Sequence, residues 1–166
     1  GLIFVTSQAL GAYAFVLAER FKPGSRRTDS PKLRRDLGNL LLTFAMSWTY
    51  LAFMQFLIIW SGDLPKESDW YVDRASGGWG FVAIAIGLGI WAIPMISMLF
   101  RKTKSVDGRL RAVARIVFVA SALVIYWNVA PSVHAANALP TVSDLGCFFG
   151  LGAIWFGFHR GADEAI

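Results

Sequence analysis

The residues of this chain best equipped for chemistry are polar groups set inside long apolar runs: Gln8, Asn39, Ser47, Tyr50, Gln55, Ser97, Ser121, Tyr126 and Asn128. Tyr50, Gln55, Tyr126 and Asn128 carry hydroxyls and amides that both donate and accept, which leaves two uses open. They can serve as hydrogen-bonding steps of a water-lined proton path, or they can tie helices together by satisfying one another in an apolar medium. Ser47 and Tyr50, three apart, share one helix face, and Gln55 falls on an adjacent one. Tyr50, Gln55 and Tyr126 are expected to face other helices, Gln55 being the most sensitive because a primary amide is poorly satisfied in hydrocarbon. Asp, Glu and Lys are absent from the middle of every apolar run, and with them the group usually found in a proton relay. Asp36 and Arg115 open the second and fourth runs on one side, where they either pair or stand as separate interfacial charges.

Redox and metal chemistry find little support within the chain. His134 follows the fourth apolar run and His159 ends the fifth, so the two lie at opposite faces of a membrane and cannot share one haem iron. Cys147 is the lone cysteine, without a CxxC partner, and is expected to pack as a small apolar residue. The glycines of Gly77-Gly78-Trp79-Gly80 open an apolar run and lack the preceding strand that a phosphate loop requires. No catalytic residue, metal site or cofactor is therefore assigned to this chain.

The elements that must hold these residues follow from hydropathy. Of 166 residues, 55% are hydrophobic and 16% charged, and the charges fall in short blocks between apolar stretches, the pattern of an all-α integral membrane protein. Five spans are expected, at 1–18, 38–60, 79–100, 112–133 and 142–158, with spans two to five as an antiparallel four-helix bundle and the first as an additional neighbour. Gly146 and Gly150 form a GxxxG, and Ala83 with Gly87 a second small pair, both suited to close helix packing. Pro94 is expected to kink the third span.

Charge sets the expected sidedness. The net charge of +5 comes from seven basic residues between Arg20 and Arg35, six between Arg101 and Arg115, and Arg160, leaving only Lys66 and Arg74 on the other side. Alternate loops are thus basic, which places them and the C-terminus in the cytoplasm with the N-terminus outside. Such clusters attract anionic lipid and are not a nucleic-acid surface. The first basic loop carries Pro23-Gly24 and Ser30-Pro31 as breakers, and Asp36 is placed to cap or charge the second span. The outer turn holds Trp70, Tyr71 and Trp79 beside Trp60, either an interfacial aromatic belt or a partner-docking surface.

The wording of LGNLLLTF, WTYLAFMQFLIIWSG, LPKE, Trp70-Tyr71 and GGWG, followed by Tyr126-Trp127, Ala130-Pro131, Asp144-Leu145, Gly150 and Trp155, resembles the ActF-type, NrfD-like integral-membrane component of bacterial alternative complex III. The resemblance covers most of the chain and implies the C-terminal half of a longer subunit of the bacterial inner membrane. It further implies a redox-inert subunit of a respiratory quinol oxidoreductase, giving scaffold and part of a proton route. Quinol, haem c and iron–sulfur clusters would then belong to partner subunits, with lipids and those subunits as the chain's neighbours. Two other classes are weighed beside it: an accessory structural subunit of another photosynthetic or respiratory complex, and a small secondary transporter. The transporter would need a substrate-binding charge at the midplane, which the sequence lacks.

Overall fold

A computed structural model of the chain describes residues 2–21, 30–62, 65–75, 78–100 and 106–132, together with Gly146 and Gly150. Every regular element among them is helical: α1 (Leu2–Arg20), α2 (Pro31–Ser61), α3 (Pro65–Ala75), α4 (Trp79–Leu99) and α5 (Asp107–Val129), the last ending in a 3-10 turn, Ala130–Ser132. Helices α1, α2, α4 and α5 are long and apolar enough to cross a membrane. The expected fifth span lies outside the described residues, apart from its two helical glycines.

The start of α2 departs from expectation. Ser30 and Pro31 do not lie within the loop but begin the helix: the Ser30 hydroxyl accepts from the Leu33 N–H at 3.2 Å, and Pro31 occupies the first turn, where a missing N–H costs nothing. Asp36 is therefore not the cap; it sits exposed beyond the first turn. At about 1.5 Å per residue the 31 residues of α2 reach about 46 Å, well beyond a hydrocarbon core of about 30 Å. The helix therefore extends past the apolar layer at its basic start.

Side-chain pairs fix an up-and-down ring of four helices. α1 runs antiparallel to α5, with Gly11 against Ser121 and the Phe15 and Phe118 rings 5.4 Å apart. It also meets α2, where the Tyr13 hydroxyl donates to the Leu37 carbonyl at 2.8 Å and its ring lies 5.5 Å from Phe44. α4 packs antiparallel on α5 through Gly89 beside Ala120 and Trp79 beside Tyr126, and contact between α2 and α4 closes the ring. Leu10, Leu17, Leu41, Ile90, Met98, Leu110, Val117 and Val124 fill the interior. Among the described residues the first span is thus a full member of the bundle and the principal partner of α5.

Pro94 acts through a change of helix type. Leu88–Ala92 forms a π-helical turn, and the Ile93 N–H reaches the Leu88 carbonyl five residues back. A proline ring crowds the carbonyl four residues before it and offers no donor; the wider turn directly upstream accommodates both within the membrane helix. The close approach on α4 also differs from expectation. A Cβ on Gly89 would stand 2.6 Å from the Ala120 Cβ, whereas one on Gly87 would meet nothing within 4 Å; the surroundings of Gly146 and Gly150 lie outside the described residues.

Candidate functional site

One end of the bundle is basic, with Arg20, Lys32, Arg34, Arg35, Arg109, Arg111 and Arg115; the other is aromatic and is roofed by α3. The segment read as an outer turn is in fact this amphipathic helix. Trp70, Tyr71 and Arg74 share its inner face, while Asp69, Val72 and Asp73 are exposed on the other. Trp70 meets Trp127 edge to face at 5.2 Å, and Tyr71 meets Phe56 likewise at 5.5 Å. Phe56 in turn stacks on Trp60 at 5.7 Å. These aromatics are therefore packed against the bundle as well as standing at its end.

Arg74 locks the roof in place. Only 7% exposed, its guanidinium lies 3.8 Å from the Trp70 ring centroid. Its nitrogens donate to the carbonyls of Trp127 (Nε, 3.3 Å), Asn128 (Nη2, 3.1 Å) and Trp70 (Nη1, 3.3 Å). Trp127 and Asn128 close α5, where carbonyls lack helical partners and a cation is favoured. Arg74 thus caps α5 from a different helix. Burial pulls its pKa down and neighbouring Asp73 pushes it up, and an arginine so placed stays charged.

Beneath the roof lies a cavity of about 410 Å³ lined by all five helices. α1 contributes Ile3 and Phe4; α2 Trp48, Ala52 and Gln55; α3 Trp70 and Tyr71; α4 Ala83, Ile86 and Gly87; α5 Val124, Trp127 and Asn128. Ala52, Ala83 and Gly87 leave the space open. The pair at 83 and 87, which sequence suggests for helix packing, instead forms a concave wall.

The four polar candidates fare differently. Gln55 stands at the cavity's edge and interacts with the Tyr71 phenol, lowering its pKa, but it is exposed and not turned into the bundle as expected. Asn128 also lines it, but its Nδ2 donates at 2.7 Å to the Val124 carbonyl of its own helix. Tyr126 is half-buried outside the cavity, 5.6 Å from Trp79. Tyr50 is 60% exposed on the outer side of α2, away from the helices it was expected to face. Asp36 and Arg115 are both exposed, on helices that scarcely touch, and no ion pair joins them. His134, Cys147 and His159 lie outside the described residues, among which no cluster of three or more His, Cys, Asp or Glu could hold a metal.

Sequence reasoning missed Tyr71 and Arg74. The signal for them was the spacing of Trp70, Tyr71 and Arg74, one face of a helix in a segment otherwise polar. Burial raises the Tyr71 pKa and the bond to Gln55 partly opposes it, so the phenol stays neutral and able to donate near neutral pH. An apolar chamber with an amide, a phenol and no carboxylate suits binding and orienting a molecule better than transferring protons. No family model matches the chain, and no curated protein matches it.

Proposed function

We propose that the chain is a redox-inert membrane subunit of an alternative complex III-like quinol oxidoreductase, in which partner subunits carry the haem c and iron–sulfur centres. The observation that supports this is a convergence. The segments bearing the resemblance run from Leu37 to Gly62 and include Trp70-Tyr71, Gly77 to Gly80 and Tyr126-Trp127. Far apart in sequence, they supply Trp48, Gln55, Trp70, Tyr71, Trp79 and Trp127 to one end of the bundle. A shared wording that gathers at one place in the fold suits a common structural role. Outward-facing Phe44, Phe53, Ile58, Phe81, Ile84 and Ile96 suit lipid and neighbouring membrane subunits.

In this proposal the chain gives the assembly scaffold and leaves electron transfer to its partners. The basic end faces the cytoplasm of a bacterial inner membrane, by the distribution of Lys and Arg. Affinity purification of the tagged chain from native membranes, with identification of its companions, tests the assignment. Co-purification of multihaem c and iron–sulfur subunits with quinol-oxidising activity is expected. Recovery with a photosystem, a terminal oxidase or alone defeats it.

A further inference from the structure

At the basic end of the bundle two arginines stand at the head of an apolar seam between α1 and α5. We infer that this seam is a binding site for one anionic phospholipid, its phosphodiester held by Arg111 and Arg115 and an acyl chain laid over Phe118 and Phe15. This does not rest on membership of any particular complex.

The arginines call for an anion. Residues 101–115 hold six basic residues and a single acid, Asp107. Arg111 is half-buried and Arg115, one turn on, is exposed. Among the described residues no hydrogen bond or ion pair engages either guanidinium, and Arg111 Nε is enclosed without an acceptor. Glu19, at the end of α1, thus makes no ion pair with either of them. Like charges four apart on one helix face repel. One phosphodiester between them replaces that repulsion with charge-assisted hydrogen bonds, which the planar guanidinium is shaped to make.

The seam says that the anion carries hydrocarbon. Positions 111, 115, 118 and 122 follow at spacings of four, three and four, and so stand in one row along α5. Phe118 is about 10 Å beyond Arg111 at about 1.5 Å per residue. Its ring lies 5.4 Å from that of Phe15 on α1, and both rings are 40% exposed on the outer face. Behind them come Ala12 and Ala122, small and exposed, while Gly11 against Ser121 draws the two helices together. The surface therefore recedes past the rings into a shallow groove. A phosphate seated at the arginines hangs its acyl chains over this groove, whereas a free anion leaves it uncovered. The arginines also stand where the apolar run of α5 begins, the depth of lipid headgroups.

Native mass spectrometry of the whole chain in dodecyl maltoside, titrated with phosphatidylglycerol, counts the lipids bound. One tight equivalent is expected, with phosphatidylcholine of the same acyl chains binding at least about tenfold more weakly. Arg111→Gln with Arg115→Gln should weaken that equivalent more than about tenfold, since each charged hydrogen bond is worth about a factor of ten or more. Lys32→Gln with Arg35→Gln takes the same charge from the same end of the bundle, at exposed positions on α2, and should leave it unchanged. Phe118→Ala should weaken the lipid, and inorganic phosphate should not displace it. Should the double arginine variant fail to elute as wild type does, Arg115→Gln alone decides, with a loss of about tenfold expected. Equal losses in the two charge-removing pairs, the mark of diffuse attraction, overturn the inference. Displacement by inorganic phosphate, the mark of a free-anion site, or equal affinity for the two lipids overturns it as well.

Discussion

Gly89 marks the tightest point of the bundle, and Gly89→Ala measures how firmly α4 is seated on α5. The added Cβ would stand 2.6 Å from the Ala120 Cβ. Carbon atoms pack comfortably at about 3.5 Å or more, so the two helices must separate locally by about 0.9 Å. A Cβ has no rotamer with which to evade the clash, and Ile116 Cγ2, 3.9 Å away, closes another side. Overpacking of this kind costs about 1–3 kcal/mol. Ala120→Gly alone costs about 1 kcal/mol through helix propensity. In Gly89→Ala with Ala120→Gly the methyl merely changes sides, so the double variant should be more stable than the sum of the single losses by about 1–2 kcal/mol. Unfolding in mixed micelles by titration with dodecyl sulfate, followed by helical circular dichroism, gives all four free energies. A Gly89→Ala protein within about 0.5 kcal/mol of wild type, or strict additivity of the pair, refutes the close packing.

Arg74→Leu should destabilise by at least about 2 kcal/mol, since it strips charged donors from three carbonyls, and limited proteolysis should cut residues 62–78 faster. Arg74→Lys should recover only part of this, because an ammonium cannot span the same carbonyls as a fork. The raised Tyr71 pKa makes its neutral form a source of stability that is fully present below about pH 10. That stability is lost as pH rises through the folded-state value, and alkaline unfolding of wild type compared with Tyr71→Phe should show it. Gln55→Leu should cost only about 0.6 kcal/mol while moving Tyr71 ionisation to higher pH, readable by phenolate absorbance against the Tyr71→Phe background. With a single cysteine placed at Ser25 or at Ser68 in a Cys147→Ala chain, an impermeant maleimide on intact cells should label only position 68; the opposite pattern inverts the topology.

Hydropathy made α1, α2, α4 and α5 legible in the sequence, because a membrane helix must be apolar over a fixed length whatever its neighbours do. It could not disclose α3. Residues 65–75 include five charges among eleven residues, and only the spacing of Trp70, Tyr71 and Arg74 marks an inner face. Nor could it show that Pro31 starts a helix, since a proline after serine breaks one element and opens the next with equal ease. Tyr50 and Gln55, five positions apart, differ by about 140° around a helix at about 100° per residue. They were never able to face the same neighbour, and Gln55 reaches the cavity's edge. Gly87 and Gly89 look alike in sequence; which of them meets α5 depends on the turn between Leu88 and Ala92.

That π turn works as the equivalent of one inserted residue in an otherwise regular α4. Absorbed in the wider turn, the extra residue sets everything after it back by about 100° from where an unbroken α-helix of the same length would put it. Upstream, Trp79, Ala83, Ile86 and Gly87 are directed to Tyr126 and the chamber, while downstream Pro94 and Met98 are buried in the other half of the bundle. A single straight stripe could not serve both. Winding the segment as α-helix without removing a residue would swing one half toward lipid by about 100°, whereas deleting one residue would restore a uniform α-helix with both halves facing as they do. The wide turn itself, more than any one residue in it, therefore keeps both halves seated: conservative replacements among its apolar positions leave them in register, and a one-residue gap would keep the chamber wall and the seat of α4 while depriving Pro94 of the turn that accommodates it.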